Sequence, residues 1–593
     1  MKESLTTLWA QTFVDELIRQ GLTDVVVSPG SRSTPLVAAF FERPEVRDWS
    51  VVDERTAAFF ALGIAQREAQ PVALVCTSGT AAAHYFPAIC EAGRRGVPLL
   101  VFTADRPASL QDCGASQAMD QVKLFGDHIR YFHHVAEPAP RQDQFRYLRK
   151  LASRAWARSM SWEPGPVHLN FPFRKPLDPL PVEENHVDGL SVAEKRTLLG
   201  DQRPDGQPYT AHFMAEKKGS SKAIRAVVEM LRKAERPFIY HGAFRGIMTE
   251  ARCYERELAV FMERTSIPLL AEATSRARQI AGALSQVDGI LESSLLETQK
   301  PDLVLHLGMS PLGWAAQRRF RSWIDVPVIQ ISPFLEESDP EGLSAMMIQS
   351  EEGLFFEDLL TALEAENLLQ KKWSDFGELL RKAEERAHAV SRDKSGLGTF
   401  WPALFELTAN QGGAAVLSAG MVLRDADSFG GHEAGKVALF CNRGLNGIDG
   451  VMATGVGVAT RQPVLILIGD VAFRHDVGSL FLAKELNLNA TILIIDNGGG
   501  SIFDYLPIAA LSSLHARHFR TEARLNPEEM ITAGIEIATN FEDVLLKVEA
   551  AMENKGGVVL FRISSEEERE EREGLRSRIA AAVEKGIQTG GAP

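Results

Sequence analysis

The chain has 593 residues, of which 45% are hydrophobic and 24% charged, and its formal net charge is −14. This composition is that of a globular protein and excludes a disordered or collagen-like chain, and the negative charge argues against non-specific binding to nucleic acid or anionic membrane. Five cysteines without a CxxC pair predict free thiols in a reducing cytoplasm. No apolar run reaches the ~18 residues of a membrane span, and residues 1–20 predict an amphipathic helix, not a signal peptide.

Short runs of β-branched residues alternate with helical patterns along the whole chain, which is typical of parallel α/β sheets. In the first third we predict strands at 24–30, 71–79 and 97–107, and a helix over TAAAHYFPAICEAGRRG. In the middle third the predicted strands are RPFIYHGAFRG, IPLLAEA, PDLVLHLGMSP and VPVIQISP. In the last third they are AAVLSAG, VALFCNRG, VLILIGD, ATILIIDNGGG and GVVLFRIS.

Two connecting segments divide this pattern into three domains. A polar, proline-containing stretch predicts a linker over 181–220, and VSRDKSGLGTFWP predicts a second connection. We therefore expect α/β domains at 1–180, 221–395 and 396–593. The charged tail after 565 predicts a terminal helix whose charges face solvent.

Oxygen-bearing side chains follow two strands of the last third. Asp470 ends VLILIGD, and Asn497 follows ATILIID one strand–helix–strand unit later. Because the carboxyl ends of parallel strands meet at one sheet edge, both should lie together, with a backbone carbonyl at Gly499 as a third donor. Such oxygen ligands suit Mg²⁺. The alternative is that Gly-Asp and Asn-Gly are only turn sequences after strands.

The Gly-Asp and Asn segments at this spacing resemble the metal-binding motif of thiamin diphosphate (ThDP) enzymes. Asp496 stands where members often have an asparagine, whereas the ligating position, Asn497, is retained. These enzymes also need a glutamate against the aminopyrimidine ring of the cofactor. Glu54 follows the short predicted strand of WSVVDERTAAFFALG and begins a helix. A carboxylate there can equally be a helix cap or dipole partner.

Longer motifs narrow the resemblance to one family. Several motifs are similar to those of the 2-succinyl-5-enolpyruvyl-6-hydroxy-3-cyclohexene-1-carboxylate (SEPHCHC) synthases of menaquinone biosynthesis. In the first domain they are VSPGSRSTPL, VDERTAAFFALG, CTSGTAAAHYFPA and TADRP, and in the last domain they are NRGLNGIDG and GGGSIFDYLP. The middle domain shows only compatible α/β patterning.

The resemblance implies three successive parallel-sheet domains: pyrimidine-binding, central and diphosphate-binding. It places ThDP and Mg²⁺ (or Mn²⁺) between the first domain of one subunit and the third of its partner, so a homodimer or dimer of dimers is expected. Glu54 matches the catalytic glutamate, and Ile448 matches the apolar wedge that holds the cofactor bent. From the local pattern alone, Ile448 fits ordinary core packing equally well.

The implied reaction is decarboxylation of 2-oxoglutarate, followed by conjugate addition of the succinyl-semialdehyde carbanion to isochorismate. Both substrates are dicarboxylates, which favours arginine because its planar fork pairs with carboxylates bidentately. Any single arginine is more often a surface residue or a structural ion-pair partner. The arginines that match the family's substrate positions are Arg32, Arg106, Arg424 and Arg443.

The resemblance assigns the first two arginines to isochorismate and the last two to the carboxylate derived from the donor substrate. Ser31 and Gln117 match polar positions near isochorismate or the reacting centre. An apolar wall beside the cofactor is implied for Ile502, Phe503 and Leu506.

One position departs from the family pattern. Members commonly carry a serine four residues before the arginine of SAGMVLRD, where this chain has Gly420, with Ser418 two residues earlier. Either Ser418 substitutes through a shifted loop or the contact is absent. The family's middle-domain lysine also has no counterpart that can be placed.

Three other interpretations remain open at this level. Another ThDP lyase or carboligase would share Glu54, Asp470 and Asn497 but would not need the arginines. An inert ThDP-fold regulatory subunit is disfavoured by the intact glutamate and metal pair. A dinucleotide-dependent oxidoreductase is disfavoured because no GxGxxG follows the first strand.

Overall fold

Three parallel β-sheets form the framework of the protein, which confirms the predicted α/β class. The structure is a computed structural model that describes residues 3–181, 189–199, 206–247, 254–335, 337–370, 373–521 and 525–588. The strands up to residue 190 are β1 (Glu3–Ser4), β2 (Asp24–Val27), β3 (Arg47–Ser50), β4 (Val72–Cys76), β5 (Leu99–Asp105), β6 (Tyr131–His134), β7 (Val167–Pro172) and β8 (Gly189–Leu190). Those that follow are β9 (Pro237–His241), β10 (Leu269–Ala271), β11 (Leu303–Leu307), β12 (Val328–Ser332), β13 (Ser344–Gln349), β14 (Ala414–Leu417), β15 (Ala438–Phe440), β16 (Val464–Gly469), β17 (Ala490–Asp496), β18 (Glu536–Ala538) and β19 (Gly556–Arg562).

Helices separate most of these strands. Those up to residue 298 are α1 (Leu5–Arg19), α2 (Thr34–Phe41), α3 (Glu54–Glu68), α4 (Thr80–His84), α5 (Phe86–Arg95), α6 (Gln142–Ser159), α7 (Val192–Leu199), α8 (Ser221–Lys233), α9 (Glu255–Thr265), α10 (Val287–Glu292) and α11 (Leu295–Thr298). The rest are α12 (Trp314–Ser322), α13 (Glu352–Ala365), α14 (Ser374–Ser391), α15 (Leu397–Asn410), α16 (Met421–Phe429), α17 (Val451–Ala459), α18 (Asp470–His475), α19 (Leu480–Glu485), α20 (Ser512–His515), α21 (Pro527–Thr532), α22 (Phe541–Glu553) and α23 (Ser565–Gln588). None of the described helices is long and apolar enough to cross a membrane.

The strand order within each sheet is doubly wound. The orders are β3-β2-β4-β5-β7-β6, then β10-β9-β11-β12-β13, then β15-β14-β16-β17-β19-β18, and all pairs in these sheets are parallel. The central strands are buried along their whole length, as β4 and β17 show, because helices cover both faces of such sheets. Because all strands of one sheet run in the same direction, the side chains that follow the strands lie at the same edge of that sheet.

The chain divides into two compact units. One comprises residues 1–215, 456–461 and 478–486, and the other comprises 216–455, 462–477 and 487–593. In the first unit, Trp9 and Phe13 of α1 are fully buried and pack edge-on against Phe145 and Phe102, with ring centroids 5.4 and 5.1 Å apart. In the second, one continuous apolar core contains side chains from both the middle and the third sheets.

The structure also contains strands that the sequence patterns do not predict: β1, β6, β7, β8, β13 and β18. Three of them, β6, β13 and β18, are edge strands of their sheets, where one-sided burial weakens the apolar signal. The predicted linker contains β8 and α7, while residues 182–188 and 200–205 lie outside the described residues. The domain boundaries at 180, 220 and 395 stay predictions.

The cysteines agree with the expectation of free thiols as far as they are described. Cys76, Cys90, Cys113 and Cys441 are not joined in disulfides. Cys253 lies outside the described residues.

Candidate active site

Glu54 is the first residue of α3 and follows β3 at the carboxyl edge of the first sheet. The helix cap is its neighbour, Asp53, whose carboxylate accepts hydrogen bonds from the backbone N–H groups of Arg55 (2.9 Å) and Thr56 (3.3 Å). The Glu54 carboxylate is half-buried. Because the Asp53 carboxylate already accepts hydrogen bonds from the first N–H groups of α3, Glu54 is not the cap of this helix.

Two buried arginines follow β2 and β5 at the same edge. Arg32 donates to the carbonyl of Phe173 at 2.8 Å, and Arg106 donates to the Ser78 hydroxyl. Among the described residues neither guanidinium forms an ion pair with a carboxylate, and the Arg32 Nε is buried without a partner. Burial, and then the neighbouring Arg106, lower the pKa of Arg32. Two neighbouring cations that form no ion pair, with the Asp105 charge near enough to offset only part of theirs, make a site suited to an anion.

A buried polar network fixes the backbone beside these arginines. The Asn170 amide donates to Asp105 (2.7 Å) and accepts from Gln121 (2.9 Å), and Asp105 accepts from the N–H of Arg106 (2.7 Å). Gln121 in turn accepts from the N–H of Gly79, which follows β4 (2.9 Å). The ends of β4 and β5 are thereby held in one arrangement. The sequence analysis missed Asn170 and Gln121.

Gln117 and Ser31 are both exposed at this edge. Gln117 adopts φ +54°, a left-handed conformation that is uncommon for residues other than glycine. A Cβ atom on Gly79 would lie 3.4 Å from the Gln117 carbonyl oxygen. The structure thus gathers five of the predicted positions along adjacent strands β3, β2, β4 and β5: Ser31, Arg32, Glu54, Arg106 and Gln117.

In the second unit, Asp470 and Asn497 follow the adjacent strands β16 and β17, as predicted. The Asp470 carboxylate accepts from the backbone N–H of Val471 (2.8 Å) and of Gly499 (2.6 Å). Burial, and then the nearby Asp496 carboxylate, raise the pKa of Asp470 to about 6. A bound cation would relieve this unfavourable negative charge.

The side chain of Asn497 supplies the clearest sign of a ligand. Its amide nitrogen donates to Ser501 Oγ (2.8 Å) and to Glu568 (2.9 Å), so its carbonyl oxygen must face elsewhere. That oxygen is buried and has no hydrogen-bond partner among the described residues. A buried acceptor without a partner is costly unless something binds it. With the Asp470 carboxylate beside it, the donor set fits a hard divalent cation.

Gly499 requires glycine for two reasons. Its φ is +128°, and a Cβ atom would overlap the carbonyl oxygen of Arg520. Asp496, the departure from the usual asparagine, is fully buried and forms an ion pair with Arg562 on β19 at 2.7 Å. The Arg562 guanidinium thus pairs with the Asp496 charge within the sheet. The Gly499 carbonyl as a ligand stays a prediction.

Arg424 and Arg443 follow β14 and β15, the next strands of the same edge. Arg424 lies 5.1 Å from the ring centre of Trp314 and donates to the carbonyl of Gly420 at 3.0 Å. Burial, and then Arg443, lower the pKa of Arg424. Arg443 is buried, with a carboxylate oxygen of Glu272 at 3.8 Å. Trp314 and Glu272 are middle-domain residues that the sequence analysis did not identify.

The predicted apolar positions are accessible in the single chain. Ile448 is 44% exposed and Leu506 39% exposed, whereas Ile502 and Phe503 are half-buried. The alternative of core packing for Ile448 is therefore wrong. These side chains are free to contact a ligand or another subunit.

Gly420, the departure from the family serine, caps α16 with φ −82°. A Cβ atom there would have no neighbour within 4 Å, so the side chain of a serine would not clash. Ser418 is buried at the end of β14, with its N–H bonded to Leu467. Its burial argues against a shifted loop that presents Ser418 instead.

The expectation that the charged tail only faces solvent is wrong for part of α23. Glu568 and Arg572 are buried, and Arg572 pairs bidentately with Asp425 at 2.6 Å to each oxygen. They share a helical stripe with the buried Leu575 and Ile579. That 3.6-residue spacing was the signal in the sequence that could have revealed them.

Each unit thus carries a row of polar residues on four adjacent strand ends. The row in the first unit has a glutamate and two arginines, and the row in the second has two arginines and the oxygen donors of Asp470 and Asn497. Residues 9–124 match the family model described as the N-terminal TPP binding domain of thiamine pyrophosphate enzymes. The fold and this match define a ThDP-dependent enzyme.

Relatives identify the family within that class. A protein of Haloarcula marismortui is 36% identical over 85% of this chain and 86% of its own length, and one of Bacillus cytotoxicus is 35% identical over 84% and 82%. A third, from Halorubrum lacusprofundi, is 30% identical over 98% of both chains. Each is named 2-succinyl-5-enolpyruvyl-6-hydroxy-3-cyclohexene-1-carboxylate synthase. The chain belongs to the SEPHCHC synthase family.

Proposed function

We propose that the protein is a transferase that decarboxylates 2-oxoglutarate and adds the resulting succinyl-semialdehyde carbanion to isochorismate. The product is 2-succinyl-5-enolpyruvyl-6-hydroxy-3-cyclohexene-1-carboxylate, in menaquinone biosynthesis. The observation that carries the proposal is the set of largely buried arginines at the carboxyl edges of two sheets. Arg32, Arg424 and Arg443 each leave a buried Nε without a partner among the described residues. A site for two dicarboxylates needs such cations, whereas a decarboxylase of a simple 2-oxoacid does not.

The proposed catalytic residue is Glu54. When bound, ThDP supplies a carbon acid whose ionised form attacks 2-oxo acids. The Glu54 carboxylate, free of any capping duty, is positioned at the strand edge to hold a proton on the cofactor's aminopyrimidine ring. Gln117 and Ser31 are proposed to contact isochorismate or the reacting centre.

The proposed metal ligands are the Asp470 carboxylate, the Asn497 amide oxygen and the Gly499 carbonyl. Mg²⁺ or Mn²⁺ held there would bind the cofactor diphosphate. The unpartnered Asn497 oxygen supports this proposal, as does the raised pKa of Asp470. Ile448 and Ile502 are proposed to contact the cofactor, and Phe503 and Leu506 to exclude water from the reacting carbanion.

A homodimer, or a dimer of dimers, is part of the proposal. Exposed apolar side chains flank the predicted site residues in both units: Val52, two residues before Glu54, is 80% exposed, and Leu445, three residues before Ile448, is 56% exposed. Single exposed apolar side chains are common on monomers, so the proposed homodimer rests on the family resemblance, with which these side chains agree. The cytoplasmic location stays a prediction.

Product analysis tests the proposal directly. The protein is incubated with ThDP, Mg²⁺, 2-oxoglutarate and isochorismate, and the products are identified by mass spectrometry. We expect the SEPHCHC adduct. An active enzyme that instead releases only an aldehyde, or that uses pyruvate equally well, would be a different ThDP lyase or carboligase. Lack of any turnover with bound ThDP would favour an inert subunit.

Substitution of single arginines should separate the two half-reactions. Loss of one charge-assisted contact costs about 1.5–3 kcal/mol, roughly ten- to a hundredfold in the affected step. Arg106→Ala should impair coupling to isochorismate but leave acceptor-free decarboxylation of 2-oxoglutarate nearly intact. Arg424→Ala should impair decarboxylation itself. Release of CO₂ from 2-oxoglutarate alone distinguishes the two.

Arg141→Ala is the control for the arginine substitutions, because Arg141 is an exposed residue that pairs with Asp143. It should leave both steps unchanged. Equal loss of decarboxylation in Arg106→Ala and Arg424→Ala would show that the arginines form one undivided anion site.

Glu568 should orient the Asn497 amide. Glu568→Ala removes the acceptor at 2.9 Å from the Asn497 nitrogen, so only Ser501 still holds the amide and its oxygen can turn away more easily. Loss of such a supporting partner typically weakens metal binding about 10–100-fold. We expect the Mg²⁺ concentration for half-maximal ThDP binding to rise by that factor. Glu567→Ala changes an exposed neighbour on the same helix and should have no effect; equal Mg²⁺ requirements would contradict the role of Glu568.

A further inference from the structure

Two histidines and a glutamate converge in the second unit, away from the residues proposed for catalysis. Glu384 and His388 lie one turn apart on α14, and His432 follows α16 in a 3₁₀ turn. The His388 Nε2 is 3.1 Å from Glu384 Oε1, and the His432 Nε2 is 3.5 Å from the same oxygen. All three potential ligand atoms lie within 4.8 Å of one another.

We propose that Glu384, His388 and His432 bind one transition-metal ion of the Zn²⁺ class, with a fourth position open to solvent. Bonds of about 2.0–2.2 Å in a tetrahedral site place neighbouring ligand atoms roughly 3.3–3.5 Å apart. The two measured distances from Glu384 are close to that spacing. Two imidazoles and one carboxylate are ligands that suit Zn²⁺ or Co²⁺, in contrast to the all-oxygen set that suits Mg²⁺.

The surroundings of Glu384 hold its carboxylate in place. It accepts hydrogen bonds from the N–H and hydroxyl of Ser285, at 2.7 and 2.5 Å, and from the N–H of Gln286 at 3.0 Å. Partners of this kind fix a metal ligand in its orientation before the ion arrives. The Ser285 hydroxyl is also 3.1 Å from His388 Nε2. When the ion takes the lone pair of that nitrogen, any proton on it is released to solvent, and the hydroxyl keeps its hydrogen bond to Glu384.

The two imidazoles have the room and the access that a metal needs. Their rings stack with centroids 4.9 Å apart. Gly431 has φ +58°, and a Cβ atom there would lie 3.2 Å from the His388 ring, so glycine both allows the turn and leaves space for the ring. The His432 side chain is 48% exposed, which gives an entry path from solvent. A bound ion would join α14 of the middle domain to the segment that leads into the third sheet.

A Co²⁺ titration of the holoenzyme tests the site. With ThDP and excess Mg²⁺ present, the all-oxygen site is occupied, and a nitrogen-ligated four-coordinate Co²⁺ is recognised by its intense visible absorption. We expect one equivalent of Co²⁺ to bind with this spectrum and to be displaced by Zn²⁺. His432→Gln should weaken binding at least a hundredfold without changing the basal activity, because glutamine can still donate to Glu384 but binds metals poorly.

His212→Gln, which alters an exposed histidine in the first unit, is the matched control and should bind like the wild type. Absence of Co²⁺ and Zn²⁺ binding by the wild type would overturn the proposal and leave the cluster as a hydrogen-bonded carboxylate. Equal binding by His432→Gln would also overturn it. Neither result depends on the catalytic proposal, because the readout is metal binding.

Discussion

Glu54→Gln is expected to bind ThDP normally but to lower turnover by on the order of 10²–10⁴-fold. Glutamine keeps the size of the side chain and one acceptor oxygen, but it cannot hold the proton that the cofactor must exchange. The helix should be unaffected because Asp53, not Glu54, caps α3. The fold and the cofactor site therefore survive the substitution, and the loss is confined to the chemistry.

The measurement compares ThDP affinity and turnover in Glu54→Gln and in Glu68→Gln, which makes the same change at the other end of α3. Glu68 forms a partly exposed ion pair with Arg461 at 3.0 Å, and such pairs contribute about 0–1 kcal/mol. The control should keep wild-type turnover. Near-normal turnover in Glu54→Gln would refute its catalytic role.

The placement of Asp470 and Asn497 at one sheet edge was predictable because it is a consequence of local sequence. Asp470 and Asn497 each end a strongly β-branched run, and one helix separates the runs. A right-handed crossover then forces both side chains to the same edge of a parallel sheet. The same rule correctly places Arg32 and Arg106 at the edge of the first sheet. These predictions needed only the local order of strands and helices, and no knowledge of contacts between segments that are far apart in the chain.

The residues that support those side chains could not be predicted in the same way. Asn170 lies 65 positions from Asp105, and Glu568 lies 71 positions from Asn497. Their roles depend on strand order and on where the terminal helix α23 packs, neither of which is encoded in a local pattern. β7, which carries Asn170, also contains His168 and ends in proline, so its polar side chains mask a central strand.

Burial and charge pairing are likewise properties of the folded chain. The sequence shows Arg443 only as a cation after a strand, whereas the structure brings the Glu272 carboxylate to 3.8 Å from it. Glu272 also accepts from Tyr240 (2.7 Å) and from the N–H of Leu312 (2.6 Å). Its oxygens thus join Arg443 to middle-domain segments, a connection that no local sequence pattern reveals.

Asp470→Ala is expected to abolish most of the stabilisation that ThDP and Mg²⁺ give the wild type. A ligand at 100 times its Kd stabilises the folded state by about 2.7 kcal/mol, and the Asp470 carboxylate is the only charged ligand proposed for the ion. In the absence of the ion, this carboxylate is unfavourably placed, since burial and Asp496 raise its pKa to about 6. Its removal should therefore affect the cofactor-bound state far more than the free protein.

Asp470→Asn separates loss of metal binding from loss of local structure. The alanine variant leaves the N–H of Gly499 without its acceptor at 2.6 Å, whereas an asparagine oxygen can still accept that bond. Thermal unfolding and ThDP titration at limiting Mg²⁺ are measured for both variants and for Asp543→Ala, a surface carboxylate paired with Lys547. The control should respond to ThDP and Mg²⁺ like the wild type, and both Asp470 variants should bind ThDP weakly. Unchanged ThDP affinity in Asp470→Asn at limiting Mg²⁺ would remove Asp470 from the metal site, because the charge that attracts the ion would then have no measurable effect.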